Sequence, residues 1–236
     1  MPLADPIGFL AAQRAEYDWD GRSALAFDDG YRARQLPLLG GRSRSDLRNE
    51  DLRDGEFWPP VRSVTVPIDS GRLLADPAFT EFLDALRDSD LAGDLWWDGL
   101  AARADRVHAT LAPDIGAAVV DPQEEGPIVV TVRGPWVGRH NTGRIYLPVE
   151  VPSPADRRTL AAVRDRLGAE HRPLLAGYLQ LRSELDCRRY ERLRSVVREH
   201  QHRVAVPMAV DHLAVRATMD NLVLRSQITD RIRLGS

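Results

Sequence analysis

From residue 61 onward, hydrophobic residues recur at the spacings of regular secondary structure. In SVTVPID (63–69), valine and isoleucine occupy every second position, which predicts a strand. In 76–88 and 153–168, apolar residues instead recur three and four positions apart, behind a capping Asp or Ser that is followed by proline. We therefore expect two amphipathic helices at these positions.

The same patterns divide the rest of the chain into further strands and helices. A helical piece is predicted at 92–104, and the charged segment 173–199 carries apolar residues at helical spacing, which predicts a long helix. The order strand–helices–strand–strand then occurs twice, which indicates an internal duplication. The predicted strands are 64–68, 106–112, 128–133, 144–151, 202–208 and 213–226.

The predicted strand RVHATLAP (106–113) combines a histidine with a hydroxyl residue. Strand alternation places His108 and Thr110 on one face, about 7 Å apart along the strand. A neutral imidazole and a hydroxyl in this arrangement suit the binding of a phosphate and the transfer of a proton. A His-x-Ser/Thr pattern also arises by chance in a chain with six histidines, so its meaning depends on a second half of the site.

The duplication supplies a candidate for that second half. HATLAP, which begins at His108, aligns with HRVAVP, which begins at His202, and each reaches proline five residues after its histidine. Two histidines on equivalent strands would face each other as an acid–base pair. Val204 stands where the first half has Thr110, so one hydroxyl is missing, and His212 is an alternative partner for His108.

Two other regions are rich in polar residues and turn signals. Residues 1–60 contain many Gly, Asp and Pro residues, and we expect an irregular N-terminal arm with short helices. The loop 134–143 and the residue after it offer donors that suit either a phosphate-facing flap or a solvated hairpin tip. The candidate substrate-binding residues are Arg139, His140, Asn141 and Arg144.

Composition narrows the possible chemistry and location. All 32 basic residues are arginine, which excludes a Schiff-base lysine, a phosphate-loop lysine and a lysine general base. The net charge of −3 gives no overall field for nucleic acid or membrane, so we expect no lasting DNA complex. Cys187 is the only cysteine, which excludes an intrachain disulfide. With no signal-peptide pattern or long apolar run, a cytoplasmic protein without membrane contact is the simplest expectation.

A metal site is an alternative use of the histidines near the C-terminal end. His200, His202, Asp211 and His212 have the side chains for it. His200 lies at the predicted end of a helix, however, so it would not share a strand face with His202, and metal ligands usually lie at tighter spacing. We therefore expect no metal.

Several segments together resemble a known family. RVHATLAP, PIVVTVRGPW, GRIYLPVEV and NLVLRSQI make the chain similar to the two-histidine (2H) phosphoesterase superfamily over residues 61–236. The resemblance implies an α+β fold, with a bilobal, pseudo-two-fold arrangement of two mostly antiparallel sheets and helices on the outside. The lobes would span about 61–133 and 144–226.

The resemblance also implies a function. A metal-independent phosphodiesterase without a cofactor would act on a cyclic phosphate or phosphodiester of a nucleotide or RNA end. One histidine would activate the attacking water or hydroxyl, and the other would protonate the leaving oxygen. His108, Thr110 and His202 would be the catalytic residues, although the hydroxyl missing at Val204 could cost about 100-fold in rate. The alternative is a catalytically degenerate module of the same fold that binds a nucleotide or a protein.

Overall fold

The computed structural model describes residues 16–40, 59–117 and 126–234. Within these residues, no helix is both long enough and apolar enough to cross a membrane. Two 3-10 turns, Ala92–Asp94 and Ala104–Arg106, flank a short helix, so the predicted helical piece at 92–104 is broken into parts. The α-helices are α1 (Asp29–Arg34), α2 (Leu36–Leu39), α3 (Ser70–Leu74), α4 (Pro77–Arg87), α5 (Trp97–Ala102), α6 (Pro154–Arg166) and α7 (Cys187–His200).

In the described parts of the chain, nine antiparallel strands form one curled sheet, which confirms the predicted α+β class. Their hydrogen-bonded order is β7–β3–β5–β6–β2–β1–β8–β9, and the short β4 pairs with β5. Strands β5 and β6 of the second half lie between β3 and β2 of the first half, so both halves share one sheet path. The strands are β1 (Val61–Pro67), β2 (His108–Ala112), β3 (Ile128–Arg133), β4 (Trp136–Val137), β5 (Arg144–Glu150), β6 (Leu175–Gln180), β7 (Ala205–Val210), β8 (His212–Thr218) and β9 (Ser226–Arg233).

The two faces of the sheet differ in polarity because side chains alternate along each strand. Val66 of β1 is directly opposite Ala109 of β2, and both side chains belong to the hydrophobic core. Thr65 is directly opposite Thr110, so this pair points to the other face. We call the face that carries Thr65, His108 and Thr110 the polar face.

Helices α4 and α6 form where the sequence predicts them. The Asp76 carboxylate caps α4 by accepting the Phe79 backbone N–H at 2.9 Å, and Ser153 caps α6 in the same way. Phe79 then packs edge-on against Tyr178 of β6, with ring centroids 5.2 Å apart. This contact attaches α4 to the apolar face of the sheet.

The predicted helix over 173–199 is wrong. The segment contains strand β6 and then, after the capping residue Asp186, helix α7. Leu175, Tyr178 and Leu179 do fit helical spacing, but β6 hydrogen-bonds to β2 on one side and β5 on the other. Pairing on both sides overrides the local pattern because it satisfies the backbone groups of a buried segment.

Because β6 is a strand, it and not the strand after His202 lies beside β2. The repeat-based alignment equates β2 with the strand after His202, but that strand, β7, pairs with β3 and lies at one end of the described order. Three strands separate β7 from β2, whereas β6 pairs with β2 directly. Strand β7 also begins at Ala205, so His202 precedes the strand instead of opening it.

Residues 16–40 are attached to the sheet by buried aromatic side chains and hydrogen bonds. Tyr31 of α1 is fully buried, and its hydroxyl donates to the Leu181 carbonyl at 2.7 Å. Asp28 caps α1 and also accepts the Thr142 backbone N–H at 2.6 Å. These contacts hold α1 beside the start of β5 and the end of β6. The buried aromatic residues of the segment are Tyr17, Trp19, Phe27 and Tyr31.

Candidate functional site

A cavity opens on the polar face of the sheet beside β2. Its larger part has a volume of about 630 Å³ and is lined by β1, β2, Arg144 of β5 and the loop 219–225. A smaller part of about 200 Å³ adjoins it and is lined in part by Arg103, Arg106 and Gly177. We call them the outer and the inner chamber. The residues that line both are His108, Thr110, Arg144 and Val223.

His108 opens β2, and the backbone just before the strand holds its ring. The Nδ1 atom lies 2.7 Å from the Arg106 carbonyl oxygen, which only accepts hydrogen bonds, so Nδ1 carries the proton. Nε2 therefore keeps its lone pair. Burial lowers the pKa of His108 to about 4, and the positive charges of Arg216 and Arg144 act in the same direction. The imidazole is consequently neutral at pH 7.

Arg144 lies at the centre of the site because Gly177 has no side chain. Ala109 of β2 is opposite Ala176 of β6, and this antiparallel register places Gly177 across from His108. A Cβ atom at position 177 would overlap the guanidinium group of Arg144. The absent side chain thus provides the space in which this guanidinium lies.

The Arg144 guanidinium has one aromatic contact and one unsatisfied donor. Its Cζ lies 5.3 Å from the centroid of the Tyr146 ring, a cation–π contact. Its Nε is buried and has no hydrogen-bond partner among the described residues. Buried donors of this kind normally have a partner, so this donor is an exception.

Arg103 adds a buried cation beside the half-buried Arg144. Its guanidinium donates to the Tyr178 carbonyl and to the Gln180 side-chain oxygen, at 2.8 Å each. Burial lowers the pKa of Arg103 to about 9, and the charge of Arg144 contributes to the same shift. Neutral oxygens therefore orient Arg103 without cancelling its charge.

Arg216 of β8 is also a buried cation on the polar face, although it lines neither chamber. It is directly opposite Ser63, which lines the outer chamber. Its Nη1 donates to the Ser226 hydroxyl at 3.0 Å, while its buried Nε has no partner among the described residues. Burial lowers the pKa of Arg216. Across the described ranges, none of Arg103, Arg144 and Arg216 forms an ion pair, so the site favours an anion.

The loop 219–225 forms one wall of the outer chamber. Its Asp220 carboxylate accepts three backbone N–H bonds from within the loop, at 2.6 to 3.0 Å. Arg106 donates to the Leu224 carbonyl and so attaches the loop to the segment before β2. Val223 has a φ of 63°, in the left-handed region that β-branched residues rarely adopt. The surrounding hydrogen bonds hold this strained residue at the cavity.

Comparison with solved structures finds folds similar to this one. Escherichia coli LigT complexed with phosphate is 14% identical in sequence, with a TM-score of 0.41 over 76% of this chain and 99% of LigT. LigT complexed with 3′-AMP gives 13% identity and a TM-score of 0.43 over 75% of this chain and 99% of LigT. TT0787 of Thermus thermophilus gives 9% identity and a TM-score of 0.43, with the same coverages.

No protein-family model matches the chain, and no curated protein matches it significantly. The chemistry of the cavity therefore follows from the side chains of this chain alone.

The histidines considered as partners of His108 lie outside both chambers. His202 is exposed in the turn after α7. His212 begins β8, where its Nδ1 lies 2.6 Å from a carboxylate oxygen of Asp211. Among the candidate catalytic residues, the structure brings His108 and Thr110 to one cavity and leaves His202 apart from them.

Of the four candidate substrate-binding residues, Arg144 lines the cavity. Arg139 and His140 are exposed and line neither chamber. Asn141 has a φ of 53°, and its carbonyl accepts the Arg144 backbone N–H at 2.8 Å. The turn at Asn141 therefore orients the start of β5 and, with it, Arg144.

The sequence gives little sign of the other cationic residues in the site. Arg103 and Arg216 are far from Arg144 along the chain, and only the strand order brings them together. Gly177 does carry a signal, because a glycine inside an apolar strand often marks the close approach of another group. In the part of the chain that the structure describes, no three His, Cys, Asp or Glu side chains are placed to hold a metal ion.

We expect Gly177→Ala to weaken the binding of inorganic phosphate by about tenfold or more, because the added methyl group displaces the Arg144 guanidinium. Isothermal titration calorimetry on the folded protein measures this change. Gly93→Ala is the matched control, since a Cβ atom at Gly93 meets no atom within 4 Å. Unchanged phosphate affinity in folded Gly177→Ala would show that Gly177 does not position Arg144 for binding.

The lowered pKa of His108 predicts a loss of stability in acid. Unfolded chains bind a proton at this histidine below its ordinary pKa of 6.5, whereas the folded protein binds it only near 4. Stability from this group is therefore fully present above pH 6.5 and falls as the pH approaches 4, by about 2 kcal/mol between pH 7 and pH 5. Urea denaturation at both pH values should show that His108→Gln lacks this loss. Parallel pH dependences of the two proteins would contradict a neutral imidazole with a lowered pKa.

Proposed function

We propose that this chain binds a phosphate-bearing nucleotide or RNA end in the cavity beside His108. The observation that carries the proposal is a group of three arginines in or beside the cavity, the buried Arg103 and Arg216 and the half-buried Arg144, none of which forms an ion pair within the described parts of the chain. Cations taken out of water without a counter-charge are costly, and a bound anion offsets that cost.

The shape of the cavity suits a nucleotide. The inner chamber, about 200 Å³, offers Arg103, Arg106 and Arg144 to a phosphoryl group. Guanidinium groups match phosphate oxygens because they present several donors in a fixed plane. The outer chamber, about 630 Å³, is in the size range of small-molecule sites and has room for a nucleoside.

Metal-independent cleavage of a cyclic phosphate or phosphodiester is a second candidate function. It is favoured by His108, whose neutral ring has an Nε2 lone pair that can accept a proton from an attacking water or hydroxyl. Thr110 and Arg144 line the same cavity and would stabilise negative charge on the phosphate. No second histidine among the described residues lines the cavity, and loss of a general acid lowers rates about 10²- to 10⁴-fold. Binding therefore ranks first and slow cleavage second.

The binding proposal predicts a specific loss of affinity in Arg144→Gln. We expect this variant to bind adenosine 3′-monophosphate about 10- to 100-fold more weakly, because it loses a charged donor pair to the phosphate. Calorimetric titration at about 0.1 M salt measures the affinities. Arg139→Gln is the matched control, since Arg139 is exposed and lines neither chamber. Equal losses in the two variants would refute the assignment of the phosphate to Arg144.

A turnover assay separates cleavage from binding alone. Adenosine 2′,3′-cyclic phosphate is incubated with the protein and excess EDTA, and adenosine monophosphate is measured by chromatography. If the second candidate holds, we expect slow product formation that survives EDTA and is lost about 100-fold or more in His108→Ala. His171→Ala is the control, because His171 is exposed and bound to Asp165. Absence of product from a protein that binds 3′-AMP would exclude cleavage, and an equal loss in His202→Ala would support the two-histidine mechanism.

A further inference from the structure

The outer chamber has a cationic residue that the inner chamber does not share. Arg34, the last residue of α1, lines the outer chamber together with Pro59 and Pro60. His108 and Arg144, in contrast, line both chambers. Consider a ligand that places its phosphate beside Arg144. If the rest of this ligand fills the outer chamber, it extends toward the wall that Arg34 lines.

Neighbouring contacts fix Arg34 at this wall. The Asn221 side-chain amide, which also lines the outer chamber, donates to the Arg34 carbonyl at 3.3 Å. The Arg34 Nε donates to the Gly30 carbonyl at 3.3 Å, and Arg34 forms no ion pair with any residue that the structure describes. On the same helix, Arg32 instead pairs with Glu184, outside the chambers. Arg34 thus presents a charge that a ligand can neutralise.

Two carboxylates share the outer chamber with the arginines. Asp220 accepts three backbone N–H bonds, which offset its charge, and Asp114 follows the end of β2. Arg34, Arg62 and Arg144 line the same space. Positive and negative side chains therefore line the same space, so an anionic ligand gains most where its charged groups contact the arginines directly.

Arg34 and Arg144 together define the ligand more closely. We infer that Arg34 forms a second phosphate subsite, and that the ligand is a ribonucleotide unit with phosphates on both sides of its ribose, one beside Arg144 and one beside Arg34. Such a unit occurs in a nucleoside 3′,5′-bisphosphate and at a 5′-phosphorylated RNA end. This inference rests on the proposed function, because it takes the phosphate site at Arg144 as its starting point.

The test compares ligands with one and two phosphates. Adenosine 3′-monophosphate and adenosine 3′,5′-bisphosphate are titrated calorimetrically into the wild-type protein, Arg34→Gln and Arg32→Gln at about 0.1 M salt. We expect the wild-type protein to bind the bisphosphate about tenfold more tightly. Arg34→Gln should lose most of this preference while its affinity for the monophosphate stays within about twofold of wild type. Arg32→Gln, the matched control on the same helix, should keep the preference.

The possible outcomes separate this inference from the proposed function. A wild-type protein that binds both ligands equally well, or a preference that persists in Arg34→Gln, overturns the second subsite and leaves the phosphate site at Arg144 intact. Equal weakening of both ligands in Arg34→Gln also overturns it, since it shows a structural role. Failure of both ligands to bind wild type refutes the proposed function as well.

A further titration identifies the source of the ligand. A 5′-phosphorylated diadenylate that binds more tightly than the bisphosphate, with the same dependence on Arg34, identifies an RNA end. The reverse order identifies a free nucleotide. Either order supports the second subsite, provided that the preference depends on Arg34.

Discussion

The position of the Arg144 guanidinium depends on the pairing of β6 with β2 and β5. The register of Ala109 with Ala176 sets Gly177 across from His108, and β5 then brings Arg144 over that glycine. Any larger side chain at 177 would occupy the space that the guanidinium needs. A backbone constraint, the order and register of three strands, therefore determines where the charge of the site lies.

The buried cations are oriented by neutral groups. Arg103 donates to carbonyl oxygens and to the amide oxygen of Gln180, which satisfy its hydrogen bonds without an ion pair, and the charge of Asp220 offsets its positive charge only in part. The lowered pKa values of Arg103 and His108 have the same origin, because burial disfavours the charged form of each. Burying cations beside neutral groups has an electrostatic cost, which the proposed anionic ligand would offset.

Local sequence patterns predict an element correctly where its capping residues and its hydrophobic periodicity indicate the same type of secondary structure. Helices α4 and α6 and strand β2 are predictable because capping residues and periodicity agree there, and His108 and Thr110 follow from the alternation in β2. Strand β6 is not predictable in this way, since Leu175, Tyr178 and Leu179 fit both a helix and a buried strand. The predicted pairing of His108 with His202 depends on the interpretation of 173–199 as one helix. That interpretation leaves out β6, the strand that pairs with β2. Arg103 and Arg216 join the site through sheet topology alone.

A single neutral histidine among fixed arginines favours binding over rapid turnover. Guanidinium groups that contact a phosphate before and during a reaction stabilise the ground state and the transition state to similar extents, so they raise affinity without raising the rate of the chemical step. Acceleration requires a group that changes its bonding as the reaction proceeds, such as a proton donor to the leaving oxygen. His108 can accept a proton, but the described cavity offers no matching histidine to donate one. The proposed binding of a phosphorylated ligand therefore fits this charge arrangement better than rapid turnover does.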